Sequence, residues 1–413
     1  MVNELLLFSV IAGIIFFGFG GEIFFKRTGI SYYLFLILIG VVLGPVLAIF
    51  PRQPLVPVLG IFSSFTLIMI LFYSGMDMKI REVVKGSPRT IVQVTVYVVS
   101  SIFIIGISLH FILGWDIVQS LIFGSMVGGE TASVVVIPLS RSLKLGQNTI
   151  TFLTLESILN SIYSIVFYTA FVGLYKTGTS SWITPLTTIG MNFAIGITLG
   201  VILSIAWMFL LKVFHDFKYT YVLTLGLLLT TYAVTEVLHG SGLVAVLIFG
   251  LFLGSSKSVL SRLRQRFDIS DLKDQFHKFQ GEISFLMETF FFVFLGLVFV
   301  IKPSEILSNL MLGVLILGIL LAFRFIATKI STKNSALYND RHIIFLICAQ
   351  GVVPATLSVA ALGEGIPLAN TFVSLAVYVI ILTNIVTTVG TIIITRKNRN
   401  SEHQPTDKIE PKS

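Results

Sequence analysis

A chain of 413 residues that is 55% hydrophobic, 12% charged and +0.95 in mean hydropathy is not a water-soluble globular protein. In such proteins about a quarter of the residues are charged. The net charge of +8 suggests nucleic acid, but its distribution excludes that partner, because the basic residues sit in short loops between long apolar stretches. The single cysteine, Cys348, rules out a disulfide within the chain and a cysteine-based metal site. There is no Walker A motif, no Rossmann glycine fingerprint and no paired-histidine metal spacing, so no cofactor is expected and ATP-driven work would need a partner chain.

Apolar stretches of roughly 20 residues each cross a bilayer once. Thirteen are expected, at 3–25, 30–50, 55–75, 90–113, 117–140, 150–175, 184–212, 220–238, 241–256, 281–301, 304–331, 342–363 and 368–395. The ninth is short, which makes its boundary with the eighth the least sharp. The first lacks a basic n-region and a small-residue cleavage site, so it reads as a retained helix. The tail 396–413 is polar and basic, expected to be disordered, and too short for a nucleotide-binding regulatory domain. The fold class is an all-α polytopic membrane protein.

Lys and Arg divide between alternate loops as the positive-inside rule requires. Loops after odd-numbered segments, with the tail, hold 24, from Lys26 and Arg27 onward; the other side holds Arg52, Lys176 and Lys302. Arg324 lies inside the eleventh segment. The split predicts an external N-terminus and a cytoplasmic C-terminus.

The fifth and twelfth segments are interrupted. One carries Val127-Gly128-Gly129-Glu130-Thr131-Ala132-Ser133 and ends near Pro138; the other carries Ala349-Gln350-Gly351-Val352-Val353-Pro354-Ala355-Thr356. Irregular backbone at membrane depth is tolerated only where protein or a water-filled cavity satisfies it. A pair of breaks in two similar halves points to a transporter with a central substrate site.

Ionisable residues inside a membrane are costly enough to be read as functional. Glu156 lies about 9 Å in from the cytoplasmic side and Arg324 roughly 10 Å, at 1.5 Å per residue. Equal depth and opposite charge predict an ion pair with a structural or gating role, since either charge alone would be expensive to bury. Glu288, at similar depth on the tenth segment, could share Arg324, face a cytoplasmic vestibule, or stand hydrated in a funnel. Glu22, Glu236, His110 and His239 lie near segment ends and read as interfacial.

Glu130 differs, because it falls near the middle of the fifth segment beside two glycines, with Thr131 and Ser133 following. Asn160 and Ser161 fall at matching depth on the sixth. A small hard cation takes carboxylate, hydroxyl, amide and freed carbonyl oxygens. A carboxylate out of water holds a proton more readily, so one site could trade a proton for a cation. The alternative is that Glu130 caps a broken half-helix, where the positive dipole end favours an anion.

Several stretches in collinear order carry a resemblance. They are GGETASVVVIPLSRSLKLG and LTLESILNS on the fifth and sixth segments, GSGLVAVLIFGLFLG at 240–254, EISFLMETFFFVFLGLVF at 282–299 and FRFIATKIS at 323–331. Together the chain resembles the monovalent cation:proton antiporter superfamily, specifically its thirteen-helix sodium/proton and potassium/proton exchangers. The resemblance implies an inverted repeat and a homodimer; a prokaryotic plasma membrane is the simplest location expected. It also implies a scaffold at about 1–75 and 184–301 and a mobile core at about 90–176 and 304–395. In that core the fifth and twelfth helices cross, and it shifts against the scaffold to give alternating access. Glu156 matches the family's helix-6 glutamate, and Arg324 the basic residue that pairs near it.

The chain also departs from the family's pattern. The Asn-Asp or Asp-Asp pair of helix 6, whose second aspartate binds proton and cation, is Asn160-Ser161 here, and the Thr-Asp of the helix-5 break is Thr131-Ala132. Many relatives have arginine where Glu288 stands, and others where Gln350 stands. Three readings follow. Glu130 has taken over the carboxylate role in Na+ or K+ exchange for protons; or the chain carries a cation or another solute without proton exchange; or it is a transport-inactive sensor. The substrate site expected is Glu130, Thr131, Ser133, Asn160 and Ser161, with Glu156, Arg324, Glu288 and Gln350 as structural or gating groups. An organic-anion symporter would need more cationic groups at the crossing, and a membrane enzyme a nucleophile–base arrangement that is not seen.

Overall fold

The computed structural model describes residues 4–28, 31–49, 55–77, 88–132, 135–136, 139–140, 143, 145–178, 183–214, 219–262, 270–299 and 302–402. Among them the chain is helical without strands. The helices are α1 (Glu4–Thr28), α2 (Tyr32–Val41), α3 (Leu55–Asp77), α4 (Pro88–Leu113), α5 (Ile117–Val127), α6 (Gln147–Thr177), α7 (Ile183–Phe214) and α8 (Thr220–Val237). There follow α9 (Gly242–Gly254), the short α10 (Ser256–Arg262), α11 (Ser270–Val298), α12 (Ile306–Thr332), α13 (Arg341–Leu346), α14 (Val352–Gly363) and α15 (Ala369–Glu402).

Eight of the described helices are long and apolar enough to cross a bilayer, and the chain is an integral membrane protein. Its surface agrees: Phe16, Phe111, Met191, Leu307 and Met311 are exposed, while Gln93, Glu130, Glu156, Glu288, Arg324 and Gln350 are buried. That inversion suits lipid outside and a polar path within. Eight of the thirteen expected segments correspond to helices long and apolar enough to span, and shorter apolar helices lie at the five others, Ile11–Phe25, Tyr32–Val46, Ile117–Val127, Gly242–Gly254 and Val352–Gly363. One expectation is corrected at the C-terminus, where α15 runs on through Glu402 into the stretch expected to be disordered. The boundary between the eighth and ninth segments falls at residues 238–241, where Ser241 Oγ accepts from Val244 N and Glu236 Oε1 accepts from Gly242 N at 2.8 Å. These two acceptors cap α9, whose first N–H groups have no helical partner.

Helices α2, α3, α7, α9 and α11 pack together, with α3 against α9 and α11, α2 against α11, and α7 against α9. Helices α4, α5, α6, α12, α14 and α15 form a second set, and α14 rests on α3. Small residues let backbones approach where lipid gives no hydrophobic drive. A Cβ on Gly40 of α2 would come 2.1 Å from the carbonyl oxygen of Val293, and one on Gly296 of α11 would come 2.3 Å from that of Ile37. The α2–α11 contact therefore exists only because both positions are glycine.

Candidate functional site

The two broken segments meet backbone to backbone. Helix α5 ends at Val127, residues 128–132 are irregular, and residues 135–136 are helical. Gly129 adopts φ +122°, a conformation side chains rarely allow. A Cβ there would also stand 2.9 Å from the Tyr97 ring. Helix α13 ends at Leu346, the chain is irregular through Gly351, and α14 starts at Val352. Ala132 N donates to the carbonyl of Ala349 at 2.8 Å, and Gln350 Nε2 donates to the carbonyl of Val127 at 2.7 Å. Glu130 Oε2 accepts from Gly351 N at 2.9 Å. Glu130 thus caps the first turn of α14, the opposite broken helix rather than its own.

Unwinding frees peptide groups that must find partners away from water. Three side chains of α15 supply them. Thr387 Oγ1 accepts from Cys348 N at 3.0 Å and donates to the Leu346 carbonyl, and Thr383 Oγ1 accepts from Gln350 N at 3.2 Å. Asn384 Nδ2 donates to the Gln350 carbonyl at 2.7 Å. Sequence reasoning missed all three, although Thr383, Asn384 and Thr387 lie at helical spacing on an otherwise apolar segment.

The expected substrate cluster is gathered in part. Asn160 Nδ2 lies 3.0 Å from Thr131 Oγ1, tying α6 to the α5 break. Ser161 Oγ donates instead to the Ser157 carbonyl of its own helix, at 3.1 Å. Ser133 lies outside the described residues. The carboxamide oxygens of Asn160, Gln350 and Asn384 are buried without a hydrogen-bond donor among the described residues. An acceptor with no donor is a normal ligand for a hard cation and an expensive group otherwise.

Glu156 and Arg324 form a buried, two-pronged ion pair, 2.8 Å at Nη1–Oε1 and 3.4 Å at Nη2–Oε2. Arg324 does more than pair. Its Nε donates to the Phe345 carbonyl at 3.0 Å, and Nη2 donates to the carbonyls of Ile344 and Ile347. These are carbonyls at the C-terminus of α13, where the helix dipole favours a cation. Gln93 of α4 completes the cluster: its Nε2 reaches Glu156 at 3.1 Å, and its Oε1 accepts from Ser331 at 2.8 Å.

The readings of Glu288 as a partner of Arg324 or as a hydrated group are corrected. It is 2% exposed, and Oε2 accepts from Tyr32 Oη at 2.6 Å and Tyr33 Oη at 3.0 Å. Arg324 is instead engaged by Glu156 and by carbonyls at the end of α13, and no described hydrogen bond joins it to Glu288.

Residues 10–397 match the family described as sodium/hydrogen exchanger, transmembrane. A K(+)/H(+) antiporter, NhaP, of Alkalimonas amylolytica is 25% identical over 329 residues, 78% of this chain and 54% of that protein. Na(+)/H(+) antiporter 1 of Methanocaldococcus jannaschii is 26% identical over 345 residues, 78% of this chain and 76% of that one. The chain therefore spans about half the length of the first relative and about three quarters of the second. The structure of the sodium proton antiporter MjNhaP1 from the same archaeon, at pH 8, superposes with a TM-score of 0.75 at 23% identity. That likeness covers 93% of this chain and 99% of the other.

Proposed function

The chain belongs to the sodium/hydrogen exchanger family, and on that premise we propose that it exchanges a monovalent cation, Na+ or K+, for protons, with Glu130 as the group that carries both in turn. The observation that carries this reading is a buried carboxylate at the crossing of two unwound helices, in a site rich in amide and hydroxyl oxygens. One oxygen of Glu130 is held by Gly351 N. Thr131, Asn160 and Gln350 offer neutral oxygens, so a monovalent cation on Glu130 leaves the site without net charge. A proton on the same carboxylate does likewise, which is what one-site exchange requires.

The packing supports a division of labour in which residues 1–75 and 184–301 act as scaffold and 90–176 and 304–395 as the moving core. The scaffold would be the dimer interface, with the N-terminus outside and the C-terminus in the cytoplasm of a prokaryotic cell. The Glu156–Arg324 pair would keep the core rigid as it moves.

A second reading, carriage of a cation without protons, draws on Ser161, which cannot titrate and whose hydroxyl is bound within its own helix. The test is purified protein in proteoliposomes with a trapped pH dye, pulsed with sodium, potassium or lithium. Proton movement driven by one of these ions supports exchange and identifies the cation. Cation uptake without proton movement supports the second reading and defeats the first.

A further inference from the structure

Glu288 is the one buried carboxylate among the described membrane-embedded residues that neither the crossing nor the arginine cluster uses. It sits on α11, and its surroundings come from α2: both phenols donate to the same oxygen, and no cation pairs with it among the described residues. Helices α1, α2, α3 and α8 pack on α11. Of these, α2 supplies Tyr32 and Tyr33, whose phenols are the described hydrogen-bond partners of the Glu288 carboxylate. Two hydroxyl donors only partly offset the cost of a buried anion. A proton removes that charge while leaving Oε2 free to accept from both phenols.

The position links Glu288 to the crossing. Tyr33 is wholly buried, and its ring lies 4.2 Å from that of Phe292, centroid to centroid. The other edge faces the break: a Cβ on Gly351 would come 3.1 Å from the Tyr33 ring. Gly351 N is the donor that holds Glu130. The neighbours therefore run in order Glu288, Tyr33, Gly351, Glu130, from the first helix set into the second.

We propose that Glu288 is a second proton-binding acid, held by Tyr32 and Tyr33 at the boundary between the two helix sets and coupled to Glu130 through Tyr33. Its coupling to the transport cycle rests on the exchange reading, because displacement of the core would break the Tyr33–Gly351 contact. Its proton binding does not.

The experiment is infrared difference spectroscopy of the purified protein in lipid, titrated from alkaline to acidic pH. A protonated carboxylic acid absorbs apart from the amide and carboxylate bands, so it is read without transport. The expected result is an acid band that is absent in Glu288→Gln and shifts in Tyr32→Phe, where one donor is lost and the acid kept. In Glu130→Gln the band should titrate at a different pH. A wild-type spectrum equal to that of Glu288→Gln at every pH overturns the acid site. An unmoved titration in Glu130→Gln overturns the coupling. Proteoliposomes that move no protons beside an intact Glu288 band would defeat the exchange reading and leave this one standing.

Discussion

The carboxylate of Glu130 and the backbone N–H of Gly351 are joined at 2.9 Å across the crossing, so the group that could carry a proton also caps a half-helix. The two roles use different properties. Capping needs an acceptor oxygen, whereas exchange needs a group that can lose its proton.

Glu130→Gln separates the two roles, because a carboxamide oxygen still accepts from Gly351 but cannot ionise. Cation-driven proton movement in proteoliposomes should vanish while thermal stability stays near wild type. Glu130→Ala should lose both, since it leaves a buried N–H unsatisfied at a cost of about 1–3 kcal/mol. Full exchange in the glutamine variant would move the carrier role away from Glu130.

Arg324 should matter more to stability than its partner. Removing one member of a buried pair costs about 3–5 kcal/mol, because the other charge is stranded. Glu156→Gln keeps an acceptor for Arg324 and for Gln93. Arg324→Met removes the donor to three carbonyls, Ile344 and Phe345 of α13 and Ile347 just beyond it, as well as the charge. Melting temperatures in detergent should fall further for Arg324→Met than for Glu156→Gln. The double variant Glu156→Met, Arg324→Met should recover part of the loss but not all of it, since the carbonyls stay unsatisfied. Complete recovery would mean that the arginine acts only as a counter-ion.

The sequence made the helices and the breaks legible because both follow from solvation. Long apolar runs have one stable form in lipid, and Gly128-Gly129-Glu130 and Gln350-Gly351 set a carboxylate and a carboxamide beside glycine at membrane depth. The Glu156–Arg324 pair was legible from depth alone. What escaped was whatever depends on helix rotation. Depth put Glu288 level with Arg324, but rotation turned it toward Tyr32 and Tyr33. Ser161 is adjacent to Asn160 in sequence, yet successive helical residues point about 100° apart, so only Asn160 meets Thr131. The polar side chains of α15 look like ordinary helix residues until the unwound strand beside them is known.

Asn384 gives a test of that last relationship. It donates to the carbonyl of Gln350, within the irregular stretch between α13 and α14. Asn384→Leu keeps similar bulk and removes the donor, leaving a buried carbonyl unsatisfied for about 1–3 kcal/mol. The expected signature is local: faster hydrogen exchange at residues 347–351, with α3 and α9 unchanged. Uniform acceleration across the protein would mean that Asn384 supports the whole bundle rather than the break.

Gly129 tests the geometry of the crossing itself. Two separate obstacles meet a side chain there: φ of +122°, and the Tyr97 ring 2.9 Å from the Cβ position. Backbone strain of this kind costs about 1–3 kcal/mol, and the ring has little room to retreat because Tyr97 is fully buried and lies under Arg324, 5.1 Å from its centroid. Gly129→Ala should therefore lower the melting temperature and disturb exchange together. Adding Tyr97→Leu should relieve the steric part and leave the backbone part, so stability should return only in part. If Gly129→Ala melted like wild type, the backbone at the break could not hold the left-handed turn that aims Glu130 at Gly351.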